Sequence, residues 1–117
     1  MTLVQLVKRQ RLDYARTHRS RHNLLVHLVA VPAFVAANTA LVATLLLGMW
    51  IAAALSLAVI VASLAWQGRC HRAEQERPEP FAGPMETVVR ILLEQWVTFP
   101  RFALSGNWAR AFREASQ

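Results

Sequence analysis

A single cysteine, Cys70, excludes an intramolecular disulfide, and the lack of any Cys-x-x-Cys pair removes a thiolate zinc cluster. Glycine is scarce, four in 117 residues, and none is arranged as a phosphate-cradling loop, so nothing points to a nucleotide. Acidic residues number seven against 13 lysines and arginines. Such an excess would ordinarily suggest nucleic acid, but a larger absence argues against it. From His22 to Gly68 there is no Asp, Glu, Lys or Arg. As one helix those 47 residues would extend about 70 Å, more than two bilayer cores of roughly 30 Å. The expected surroundings are therefore a lipid bilayer, with no nucleic-acid partner. The length allows one domain and excludes a multidomain enzyme with a separate cofactor domain.

What is present reads as an all-α integral membrane protein, a two-helix transmembrane hairpin with flanking amphipathic helices. Gly48-Met49-Trp50 sits near the middle of the apolar block, a glycine for the bend and an aromatic ring for the interface. This predicts helices over about 23–47 and 50–69. Pro32 should kink or loosen the first, while Ala33, Ala36, Ala37, Ala40, Ala52, Ala53, Ala54, Ala58 and Ala62 allow close approach of the two backbones. Residues 1–22 form a basic N-terminal helix, 23–69 the hairpin, 70–84 a proline-rich connector and 85–117 an amphipathic C-terminal region. Met85 to Trp108 carries Arg90, Glu94, Arg101 and Pro100 among its apolar residues, which suits a helix on the membrane surface or against the mouth of the hairpin. Basic residues flank both ends of the hairpin, which places both termini in the cytoplasm, in a bacterial inner membrane or its equivalent. A cleavable signal peptide fits poorly, because the apolar run begins after 22 polar-rich residues and continues far beyond a usual signal core of ~7 to 15. Two spans of so short a chain enclose little volume, which leaves a homodimer open.

All four histidines lie at the charged edge of the apolar block: His18, His22 and His27 at its start and His71 at its end. If the bend centres on Met49, His27 and His71 are each 22 residues from it and share a depth of about 33 Å. They can face each other and hold a metal ion. Gln67, His71 and Glu74 follow at spacings of four and three, one helical stripe that offers an imidazole ligand and a carboxylate for acid/base work. His18 and His22 share a face if helical, whereas His18 and His27 stand ~180° apart on a straight helix. They can meet one ion only if the helix is broken between them, with Ser20 or Asn23 as an N-cap. Interfacial histidines without metal, or a proton relay, use the same residues. Trp50 and Trp66 suit interface anchors, and the arginines suit the topology signal and anionic head groups.

Tyr14-x3-His18-x4-Asn23-x3-His27 directly before a span resembles the opening motif of a small membrane-protein family that includes the 2-hydroxy fatty acid dioxygenase of phytosphingosine breakdown. Trp66-Gln67, His71, Glu74 and Arg77-Pro78-x-Pro80-Phe81-x2-Pro84 are similar to the family's sequence after the second span, with Cys70 where the family has Gly and the His-Glu spacing one residue shorter. His22 falls outside the pattern. The resemblance implies a ferrous ion held by histidines at the cytoplasmic face, and dioxygen and a 2-hydroxy fatty acid or its acyl derivative as substrates. It also implies release of a chain one carbon shorter. On that reading His18, His22, His27 and His71 are the candidate ligands, Glu74 the catalytic carboxylate, and Tyr14, Asn23 and Gln67 supporting residues. Arg16, Arg19, Arg21, Arg69 and Arg72 are candidates for the substrate carboxylate from charge and position. The rival is a non-enzymatic membrane scaffold or assembly protein. A metal or proton transporter is disfavoured, because residues 28–65 contain no titratable side chain to relay anything across.

Overall fold

The computed structural model describes residues 2–115, all helical or loop, with no strand among them. The chain opens with α1 (Leu3–Asp13) and a short 3-10 turn (Ala15–Thr17). The two long helices α2 (Arg21–Leu46) and α3 (Trp50–Arg72) come next. After the connector come α4 (Pro84–Leu93), a five-residue π turn (Glu94–Thr98), α5 (Phe99–Leu104) and α6 (Asn107–Glu114). Each start has a local cause. Thr2 and Gln5 form a reciprocal capping box on α1, and the Ser20 hydroxyl accepts from the Asn23 amide to cap α2.

α2 and α3 are the expected antiparallel pair, and both are long and apolar enough to cross a membrane. Leu46 closes α2, Gly48 adopts φ +69°, and the Met49 amide reaches back to the Thr44 carbonyl, the six-to-one bond of a Schellman turn. A left-handed residue is required there, and glycine supplies it without a Cβ clash. α2 runs on through Pro32, and α3 continues to Arg72, past the expected end at residue 69. Arginine extends a helix readily, and the positive charges of Arg69 and Arg72 suit its C-terminal end. The seam between the two helices differs in part from the expected alanines. Ala30, Phe34, Ala37, Ala53, Ile60 and Ser63 are buried in it, while Ala36, Ala54, Ala58 and Ala62 face outward. Outward too are Leu45, Leu46, Trp50, Ile51, Leu55, Val59 and Trp66, a belt of apolar side chains suited to lipid.

The C-terminal helices close over one end of this hairpin. Phe99 and Phe102 pack with Tyr14, Leu24 and Val31, the Trp108 indole donates to the Leu24 carbonyl at 3.0 Å, and the Arg21 guanidinium lies over the Phe112 ring. The π turn has a sequence cause in Pro100, which has no amide to give the Trp96 carbonyl and whose ring would press on it. Opening the turn by one residue relieves that clash, and the Phe99 amide bonds the Glu94 carbonyl instead. The connector is fastened over the same end by Arg9 to Glu79 at 2.6 Å, Arg16 to Glu76 at 2.5 Å, and Arg90 to the carbonyls of Pro80 and Glu79.

Candidate metal centre

Ser20 supplies the break the histidine geometry requires. The chain turns between the 3-10 segment and α2, so His18 folds back over the first turns of α2 and meets His27, nine residues on. The hairpin brings His71 to the same level, and the three rings sit mutually edge-on, with centroids 4.5–4.9 Å apart. The fourth member is Glu94, at the start of the π turn. Its Oε2 lies 3.5 Å from His27 Nε2, 3.7 Å from His18 Nε2 and 3.8 Å from His71 Nε2. One ligand atom from each of the four residues falls within 4.8 Å of all the others.

Tautomers decide what such a cluster can do. His18 Nδ1 is 2.8 Å from the Tyr14 carbonyl and His27 Nδ1 is 3.0 Å from the Asn23 carbonyl. A carbonyl only accepts, so each Nδ1 carries the proton and each Nε2 presents a lone pair to the centre. Those two Nε2 atoms face each other at 3.4 Å, beside a carboxylate. Two facing lone pairs do not bond to each other, and a shared cation resolves the contact. Bonds of about 2.1 Å from one ion would put neighbouring ligands roughly 3–4 Å apart, the spacing of Glu94 Oε2 from each imidazole and of the two Nε2 atoms of His18 and His27. A carbonyl on the far ring nitrogen is also the usual support for a metal-bound histidine. The donor set, neutral imidazoles with one carboxylate, suits a divalent transition metal.

The surroundings keep these protonation states. Burial pulls the His18 pKa down to about 4, reinforced by His27 and His71 and only partly opposed by Glu94, so the ring is neutral at pH 7. The Tyr14 hydroxyl donates to Glu94 Oε2 at 2.9 Å, while its ring stacks on His18 with centroids 3.8 Å apart. Burial, and then the charge of Glu94, raise the Tyr14 pKa well above its ordinary value, which keeps it a donor. His71 Nδ1 and Asn23 Oδ1 are buried without a hydrogen-bond partner.

Of the residues expected at the site, His18, His27 and His71 converge, and Tyr14 and Asn23 contact members of the cluster. Gln67 lies one turn below His71. His22 does not join them. It is exposed on α2, five residues and thus about 140° around the helix from His27. Glu74 is buried, but α3 ends at Arg72, and its carboxylate turns to the start of α2. There it accepts from the amides of Arg19 at 3.0 Å and Ser20 at 3.1 Å and from Asn23 Nδ2 at 2.7 Å. Of the five arginines, only Arg16 lines the cavity of about 540 Å³ that leads to His18, His71 and Glu94. Arg21 is engaged with Phe112, Arg19 leans toward Glu76, and Arg69 and Arg72 stand exposed on the last turn of α3. Arg9 and Arg90, from α1 and α4, line that cavity as well, with Leu6, Leu64, Phe81 and Ile91 as apolar wall.

Glu94 was not legible by spacing, because it arrives from beyond the connector. Its nearest basic neighbour in sequence, Arg90, invites an ordinary i,i+4 surface pair, whereas Arg90 bonds Glu86 and the connector. The available signal was a carboxylate set among Ile91, Gln95, Thr98 and Phe99, on the side of its helix that packs inward. No curated protein and no solved structure matches the chain. A family model does match it over residues 4–102, spanning all four converging side chains. The chain belongs to the family described as 2-hydroxy-palmitic acid dioxygenase Mpo1-like.

Proposed function

We propose that this protein is an iron-dependent dioxygenase that shortens 2-hydroxy fatty acids by one carbon, with His18, His27, His71 and Glu94 holding the metal. The observation that carries the reading is the pair of Nε2 lone pairs turned toward each other and toward Glu94, each fixed by a backbone carbonyl on the opposite ring nitrogen. When bound, ferrous iron supplies the redox chemistry with dioxygen and open positions for the substrate's hydroxy-carboxylate. Overall the reaction balances as one 2-hydroxy acid and one dioxygen giving the shorter acid, carbon dioxide and water, so no outside reductant is needed.

The remaining roles fall to the chain itself. Tyr14 orients the Glu94 carboxylate through its hydroxyl and His18 by stacking. Arg16, with its guanidinium on the exposed Glu76 carboxylate, can exchange that partner for the carboxylate of an incoming acid. The apolar wall of Leu64, Ile91 and Phe81 accepts the start of the alkyl tail. The basic end of the hairpin faces the cytoplasm and the uncharged Gly48 turn the other side, by the positive-inside rule. The test is metal analysis of detergent-purified protein, with product measured from a defined 2-hydroxy acid under oxygen. Near-stoichiometric iron, lost together with turnover in a His18→Ala/His27→Ala variant, is expected. Metal-free, stable wild type without turnover overturns the reading and favours a scaffold.

A further inference from the structure

One turn below the histidines, toward the membrane, lies a second polar layer that the reaction itself does not use. Gln67 Nε2 donates to Gln95 Oε1 at 2.9 Å and Gln95 Nε2 donates back to Gln67 Oε1 at 2.8 Å, a closed amide pair. Gln67 Nε2 also donates to Ser63 Oγ at 3.0 Å, and Ser63 Oγ to the Ala30 carbonyl at 2.7 Å. All three side chains are buried. The chain of bonds thus joins α2, α3 and the π turn. Three of its four members sit close to the ligands: Gln67 four residues before His71, Ala30 three after His27, and Gln95 immediately after Glu94.

Glu94 comes from a helix tied covalently to the hairpin only through the connector, and the Tyr14 hydroxyl holds its carboxylate without fixing the rotation of the turn that carries it. In an α-helix four residues advance about 400°, so a stripe at that spacing drifts by about 40° per step. The wider π turn takes back part of this drift, and Gln95 and Phe99 are both buried. A turn so loosened needs an external register mark, and two antiparallel amide bonds give one that resists both rotation and sliding.

We propose that the Gln67–Gln95 pair is the positioning element for Glu94, fixing the angle at which its carboxylate meets the three imidazoles and thereby the affinity and coordination of the metal. This rests on the reading of the cluster as a metal site. The test uses the full chain in detergent, titrated anaerobically with cobalt(II), whose visible absorption reports coordination as well as occupancy. In Gln67→Leu/Gln95→Leu neither amide is left orphaned, so the unfolding temperature should stay near that of the wild type while cobalt affinity falls ten- to a hundredfold. The visible bands should shift as well. Gln95→Asn keeps an amide but withdraws it by one methylene, and should show the same loss even if the double variant fails to fold. Wild-type affinity and spectrum in either variant that folds overturn the proposal alone. Failure of the wild type to bind cobalt overturns the metal reading and the positioning role with it.

Discussion

Removing the Glu74 carboxylate should unfold the approach to the site before it touches any chemistry. Glu74 is 7% exposed and takes three hydrogen bonds at 2.7–3.1 Å, two of them from backbone amides at the start of α2. Bonds to a charged group are worth about 1.5–3 kcal/mol each, but in Glu74→Ala water can reach some of the freed amides beside Arg19. Counting two of the three as lost gives about 3–6 kcal/mol, or a fall of more than ~10 °C in Tm for a chain of this size. Arg19 is adjacent to His18, so the loosened turn should also weaken metal binding by about ten- to a hundredfold. Thermal unfolding by circular dichroism in detergent, with metal titration on the same samples, checks both. A Glu74→Ala protein melting within about 2 °C of wild type but inactive would refute the capping argument and return the carboxylate to the reaction.

Metal-free protein should lose stability on acidification. His18 is neutral in the fold down to about pH 4 but titrates near 6.5 when unfolded, so the unfolded chain binds more protons between these values and stability falls as pH drops through that window. The loss is about 3 kcal/mol over the window, and His18→Gln should flatten that part of a pH-dependent denaturation curve. Arg16→Ala should raise KM for a 2-hydroxy acid about ten- to a hundredfold with a smaller change in kcat, Arg16→Lys falling between; unchanged KM removes Arg16 from substrate binding. Gly48→Ala forces a Cβ into φ +69° with open space around it, so the cost is backbone strain alone, about 1 kcal/mol in an unfolding titration.

The parts visible in the sequence were those written in contiguous residues. An uncharged run gave the hairpin, Gly48 its bend, and symmetric distances from Met49 paired His27 with His71. Ser20 was readable as the break that lets His18 turn back. Glu74 shows where such reasoning stops: its spacing from His71 suggested a shared stripe, which requires the helix to continue, and the helix ends at Arg72. Glu94 required the docking of α4 across a connector held by long-range charge pairs, and no periodicity encodes that. The π turn, too, emerges from the conflict between Pro100 and a helix that must keep facing inward.

The uncharged tip at Gly48 has one more consequence. On the membrane placement proposed above, the arginines would hold the basic end at the head groups, but nothing ionic fixes the far end, where Leu46, Leu47, Met49 and Trp50 are exposed. In bilayers of different thickness the tip can therefore ride higher or lower in the opposite leaflet at little cost, while the imidazole layer stays at constant depth beneath its own surface. If the proposed function holds, the same protein would thus serve thin and thick membranes without retuning the place where its substrate arrives.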